Sequence, residues 1–256
     1  MIECSLFFTY YCAANFVIKR CMSDCKYDII QNIHIKKEDN MNLVRDTLLE
    51  IILIIPGMLL AFTFHEYAHA LVADRLGDKT PRFQGRLTLN PISHIDPIGF
   101  VAVLLFRFGW AKPVQTNPSA YKNYYKDDLK VSLAGPIANF LVAIIMAIIL
   151  GFFAKYAYRI LPEALGGVLF TMIQLAVVIN INIGLFNLIP IPGLDGFSLL
   201  RDLKPSFFHR YEEKFYQYQM LIMLGLIFIG GRIIQIPASF ILRGLMTLAS
   251  QVVNLF

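Results

Sequence analysis

Apolar positions in this chain come in runs too long for the buried faces of a soluble fold. From about Asp46 to Asp74 or Arg75 most positions are apolar, with Asp46 or Thr47 available to cap a helix start, Pro56 to bend it and Gly77 to end it. Residues 131–153 carry no charge, and neither do residues 164–189. A helix needs about 20 such residues to cross the hydrocarbon core of a bilayer, so these stretches predict membrane spans. Residues 215–231 predict a further span, while residues 233–249, which hold Pro237 and Arg243, either cross marginally or lie in the interface. Gln174, Asn180, Asn182 and Asn187 sit inside the 164–189 run. Polar side chains at membrane depth are costly against lipid, so they are expected to face the bundle interior.

Between the first two spans the pattern changes. Residues 76–126 mix Gly, Pro, Asn and Asp with short apolar pieces, and residues 82–89 alternate in the manner of a strand. Asn90-Pro91 and Asp96-Pro97 are turn signals, and residues 98–106 are apolar but too short to cross. Irregular backbone is tolerated at membrane depth only where protein or a wet cavity covers it. The expected fold class is therefore mostly α: a polytopic transmembrane helix bundle with a small re-entrant β-containing segment near the active site. Residues 1–40 differ from the rest. Their apolar part, residues 6–18, is too short to span, Lys19-Arg20 follows it, and no small-x-small cleavage site is present. Met41 is a second candidate start. The expected division is an N-terminal extension over 1–40, poorly ordered and non-catalytic, and a membrane-embedded domain over 41–256.

Composition agrees with the pattern. Hydrophobic residues make up 57% of the chain and charged residues 16%, with a mean hydropathy of +0.58. A soluble domain carries about a quarter charged residues. The net charge of +5 concentrates in three loops, Arg75 to Arg86, Lys112 to Lys130 and Arg201 to Lys214. Such an excess marks the cytoplasmic face of a membrane protein and not a nucleic-acid footprint. The basic N-terminal extension fits that topology poorly. Cys4, Cys12, Cys21 and Cys25 all lie in this extension, and their spacing matches no firm zinc or disulfide pattern.

The first apolar run also carries chemistry. His65 and His69 are four apart, which on a helix places both imidazoles on one face, near enough to share a metal. With Glu66 they form the H-E-x-x-H pattern, in which the glutamate is the general base. A catalytic zinc needs a third protein ligand. Asp195, a lone acid after the end of the 164–189 run, flanked by Pro190, Pro192 and Gly196, is the candidate. Two buried histidines satisfied by neighbours, and an ordinary helix-end aspartate in water, are the bland alternatives. A metal carrier using the same three residues and a non-catalytic membrane scaffold are the other functional classes. No internal repeat of the transporter kind is visible, and a carrier has no use for a base at Glu66.

Further motifs extend the pattern. They are Ala73-Asp74-Arg75-Leu76-Gly77-Asp78, Leu89-Asn90-Pro91 with His94-Ile95-Asp96-Pro97-Ile98-Gly99, Gly109-Trp110-Ala111-Lys112-Pro113-Val114, Ala134-Gly135-Pro136-Ile137-Ala138-Asn139, and Phe186-Asn187-Leu188-Ile189-Pro190-Ile191-Pro192-Gly193-Leu194-Asp195-Gly196. With the histidine motif they cover most of residues 60–200, and in this order the chain resembles the site-2 protease family of intramembrane zinc metalloproteases, in its compact bacterial form without a PDZ domain. The resemblance implies one Zn2+ per chain on His65, His69 and Asp195, Glu66 activating the water, and Asn187 steadying the substrate carbonyl or its oxyanion. It implies a membrane-anchored protein substrate, unwound and presented against a short sheet, and a multi-pass protein of the cell membrane with its active site towards the cytoplasm. Asn139 and His94 are candidate substrate contacts, with helix packing and turn chemistry as their alternatives. Trp110 is the expected interface anchor. Gly193 stands where the family commonly has a second proline, which implies a looser turn before Asp195.

Overall fold

A computed structural model describes residues 40–106, 110–158, 160–225 and 231–255. The N-terminal extension and its four cysteines lie outside the described residues, apart from Asn40. The described chain is helical: α1 Asn40–Leu76, α2 Thr80–Phe83, α3 Pro97–Phe106, α4 Tyr124–Phe152, α5 Glu163–Asn187, α6 Asp195–Leu203, α7 Pro205–Gln217, α8 Gln219–Gly225 and α9 Gly231–Asn254. Among the described residues, four segments are long and apolar enough to cross a membrane: Leu49–Leu76, Tyr124–Ala157, Glu163–Asn187 and Ile233–Asn254.

α1 begins upstream of the expected cap and runs unbroken through Pro56. It ends where expected. Gly77 takes a φ of 114°, and the N–H of Asp78 returns to Ala73 O at 3.0 Å, which satisfies a carbonyl the helix end would leave open. α1, α4 and α5 pack side by side. One buried cluster joins Ile54, Met58 and Ala61 of α1 to Leu175 and Ile179 of α5. A second joins Ala143 and Ala147 of α4 to Val177 and Ile181 of α5 and to Leu242, Leu245 and Ala249 of α9. Small residues at these contacts let the helix backbones approach closely.

Two expectations need correction. Among the described residues no strand forms, so the β-containing part of the fold class is not found; the one isolated bridge pairs Ile95 with Ala111. The alternation over 82–89 has another origin. Pro81 sits in the first turn of α2, Gly85 reverses the chain at a φ of 68°, and Arg82 is drawn back to Asp74 at 2.7 and 2.9 Å. A period-two pattern becomes a strand only beside a partner that accepts its ladder, and these residues are held by caps and side chains instead. The second correction concerns the last spans. The expected span over 215–231 is interrupted at Tyr218, between the end of α7 at Gln217 and the seven-residue α8, and residues 226–230 lie outside the described residues. The fourth candidate span is instead α9, continuous through Pro237, because its face of Leu242, Leu245 and Ala249 is buried against α4 and α5.

Candidate metal centre

His65, Glu66 and His69 lie in the second half of α1, and all three are buried. At 1.5 Å per residue the histidines sit about 10 and 16 Å from the end of the helix at Leu76. Asp195 approaches from the other side. α5 stops at Asn187, a non-helical turn follows, and Asp195 is the first residue of α6. Nε2 of His65 and Nε2 of His69 lie 3.1 and 3.2 Å from Asp195 Oδ2, and 3.1 Å from each other. Among the described residues these three form the one group of His, Cys, Asp or Glu side chains able to converge on a metal.

The hydrogen bonds behind the rings decide what those atoms present. His65 Nδ1 is 2.7 Å from Asn139 Oδ1. The orientation of that amide is fixed, because Asn139 Nδ2 donates to Ala61 O at 3.0 Å and to Asn180 Oδ1 at 3.1 Å. The oxygen therefore faces the ring, and His65 Nδ1 carries the proton. His69 Nδ1 is 2.7 Å from the carbonyl of Val131, which can only accept. In the neutral rings both Nε2 atoms are then bare lone pairs. Asp195 Oδ2 is buried and receives no hydrogen bond. Three acceptors thus meet with no proton between them, an arrangement that is repulsive unless a cation sits there. Ligands at about 2.0–2.1 Å in tetrahedral array stand about 3.3 Å apart, close to the separations found. Two imidazoles and a carboxylate are a donor set suited to zinc, so the residues fit the ion.

α4 builds the wall opposite the histidines. Asp128, Val131, Gly135 and Asn139 follow one another by three, four and four residues and so share one face. Val131 and Asn139 orient the two rings. Gly135 lies between them, and a Cβ there would fall 2.7 Å from His65 Nε2 and closer still to His69 Nε2. Only glycine leaves that space open.

Glu66 is held separately. Its Oε2 accepts the N–H of Val114 at 2.8 Å. Val114 belongs to an extended segment pinned at its end by Asp78, whose Oδ2 accepts the Asn117 N–H at 2.6 Å, and near its start by the Lys112 N–H on His94 O at 2.9 Å. The remaining candidates lie elsewhere. His94 is fully buried, with Nε2 on Thr88 O at 2.7 Å. Asp96 accepts the Gly99 N–H at 2.8 Å and caps α3. Asn187 is half-buried, and its Nδ2 donates to Ile183 O at 3.0 Å in the preceding turn of α5. Trp110 is half exposed. Sequence reasoning missed Val131, Val114 and the partnership of Asn139 with Asn180. The first two act through backbone atoms, which leave no mark in residue type. Asn180 was flagged only as an inward-facing polar group.

The turn before Asp195 is not the loose one expected. Gly193 has a φ of 96°, which proline, confined near −65°, cannot adopt. Gly196 lies so close to the backbone of Leu188 and Ile189 that a Cβ would fall 2.5 Å from Ile189 C. At its far end α6 carries Arg201, whose Nε donates to Asp202 at 2.9 Å and whose Nη2 bonds Asp128 of α4. Burial pushes the Asp202 carboxyl above the usual carboxylate range, and the guanidinium pulls against that shift.

Comparison with known proteins gives the same reading. The family model of peptidase family M50 matches residues 53–166 and 164–230. "Putative zinc metalloprotease YwhC" of Bacillus subtilis is 40% identical over 148 residues, covering 58% of this chain and 67% of that protein. "Putative zinc metalloprotease Rip2" of Mycolicibacterium smegmatis is 30% identical over 156 residues, and its counterpart in Mycobacterium tuberculosis is 28% identical over 163 residues. The matches cover 56% and 59% of those two proteins, so the chain spans somewhat more than half of their length. No solved structure matches the chain. A family model spanning most of the molecule, four membrane-length helices among the described residues and three side chains that could hold a metal agree: the chain belongs to peptidase family M50, the site-2 protease family, and by that membership is a multi-pass intramembrane zinc metalloprotease.

Proposed function

We propose that this chain hydrolyses peptide bonds of membrane-anchored proteins with one zinc ion held by His65, His69 and Asp195. The observation that carries the proposal is the meeting of three buried acceptors, 3.1–3.2 Å apart, whose rings are already committed at Nδ1 to other partners. A zinc ion there supplies Lewis acidity towards a carbonyl and makes water a better nucleophile at neutral pH. Glu66 takes the proton from the attacking water and gives it to the leaving amine, and the Val114 N–H keeps its carboxylate aimed while it waits. Asn187, at the end of α5 and eight residues before Asp195, is the candidate to steady the substrate carbonyl; its Nδ2 bonds Ile183 O with one of its two N–H groups. Asn139 and His94 are fully buried and serve here as supports, Asn139 behind His65 and His94 beneath the segment that holds Glu66.

The ends of α1 and α5 and the start of α4 meet at the site, so the basic loops that follow and precede them share one side of the membrane. The excess of Lys and Arg assigns that side to the cytoplasm, with the protein in the cell membrane. A helical peptide bond is shielded from attack, so the substrate must be unwound beside α1 before Glu66 can serve. The test is Glu66→Gln in the full chain, reconstituted with a membrane-anchored reporter. Cleavage should disappear while zinc stays bound at one ion per chain. Cleavage that survives sinks the proposal, and zinc flux across proteoliposomes that ignores the substitution points to a carrier instead.

A further inference from the structure

α6 presents Asp195 to the site, and next to Asp195 it is held by the close approach of Gly196 to the backbone of Leu188 and Ile189. The preceding residue, Leu194, provides no side-chain cap, and the turn on that side is non-helical. The Phe197 ring of α6 packs against Phe208, Phe215 and Tyr216 of α7 at centroid distances of 4.8, 5.6 and 5.7 Å, while the helix itself packs on α4. α7 is amphipathic and too short to span, so what relates α6 to the histidines is its packing on α4.

Arg201 bridges these two helices. It lies six residues beyond Asp195, about 9 Å along the helix. Its guanidinium is mostly buried, bonding Asp202 on its own helix and Asp128 on α4, and it lies 5.8 Å from the Tyr124 ring. Asp128 is one turn before Val131, whose carbonyl orients His69, and on the stripe that continues to Gly135 and Asn139. The planar fork of arginine holds two carboxylates at fixed angles, as a lysine ammonium cannot. Burying one guanidinium between two carboxylates gives little net stability, because desolvation cancels most of the attraction. Its value is geometric.

We infer that Arg201 is a positioning residue for the metal centre: by joining α6 to Asp128 on α4, it sets Asp195 at the distance from His65 and His69 that one zinc ion requires. The inference rests on the metal-binding reading proposed above. Both halves of the ligand set are then referenced to one helix, the histidines through Val131 and Asn139, the aspartate through Asp128.

The test is a double-mutant cycle on zinc affinity, measured by chelator competition on the full chain in detergent. Arg201→Met should weaken zinc binding by about 10- to 100-fold, the range for groups that orient a ligand, with helix content unchanged by circular dichroism. Arg201→Lys should recover part of the loss. In an Asp195→Ala background Arg201→Met should cost nothing more, since the ligand it positions is gone. An equal loss in both backgrounds, or none in the native one, overturns the inference. Should Arg201→Met not fold, Asp128→Asn, which weakens one arm of the bridge, runs the same cycle. His65→Ala separates the two levels. If it leaves zinc affinity untouched, the metal-site reading falls and this inference with it. If it abolishes binding while the cycle proves additive, the inference alone falls.

Discussion

The two sides of the metal centre are built differently. His65 and His69 stand one turn apart on a continuous helix that runs from Asn40 to Leu76, and their separation follows from helix geometry alone. Asp195 stands across a helix break, at the start of a nine-residue helix. Its place depends on a left-handed glycine at 193, a backbone contact at 196 and a salt bridge at 201. The histidine side is local and redundantly braced. The aspartate side is assembled from separate contacts, each of which can fail by itself. Water and an extended peptide have to enter between them, so the site has one rigid wall and one wall that has to be held in register.

Substitutions can break this contrast in order of severity. Gly135→Ala acts on both sides at once, because its Cβ overlaps both Nε2 atoms. It should abolish stoichiometric zinc binding and cleavage together, read by metal analysis and a reporter assay, while α4 itself gains helix propensity. Gly196→Ala strikes only the aspartate side. Overpacking against Leu188 and Ile189 should cost roughly 1–3 kcal/mol in stability and weaken zinc binding, with the histidine pair intact. Asn139→Ala strikes only the histidine side. It leaves His65 Nδ1 without its acceptor and Asn180 Oδ1 without its donor, and should lower zinc affinity by about 10- to 100-fold at a cost of about 1–3 kcal/mol in stability. Gly193→Ala should have the smallest effect, about 1–2 kcal/mol of backbone strain, since nothing lies within 4 Å of the new Cβ. If Gly196→Ala leaves zinc affinity unchanged, the contrast between a braced and an assembled side is wrong.

The block between α1 and α4 shows where local pattern misleads. Residues 82–89 alternate, yet Arg82 reaches back to Asp74 and Arg86 bonds Ser93 O, so the side chains that suggested a strand are tethers. Alternation reports which positions differ in polarity, not whether a neighbouring strand exists to pair with them. Asn139 was legible as polar and close to the site, but its partner was not. An amide at that depth can meet a peptide or a ring, and only the position of α1 beside α4 decides for His65. Gly193 was read as loosening its turn, whereas its φ of 96° makes it the residue the turn requires.

The sequence by itself determined the membrane character, three of the membrane-length helices and the candidate residues for holding a metal. Run length, residue type and the four-residue spacing of His65 and His69 are properties of the chain's order. Tertiary structure alone decided that α9 completes the bundle, that Val131 and Asn139 leave both Nε2 atoms bare, and that Gly135 keeps the space between them open. It also decided that Asp195, 126 positions from His69, arrives with a buried oxygen that accepts no hydrogen bond facing them. The physical reason is range. Helix periodicity and apolar transfer act within about 20 residues and can be read along the chain. A ligand set needs atoms from distant residues placed to within a few tenths of an ångström, and only the packing of α1, α4 and α6 against one another supplies that.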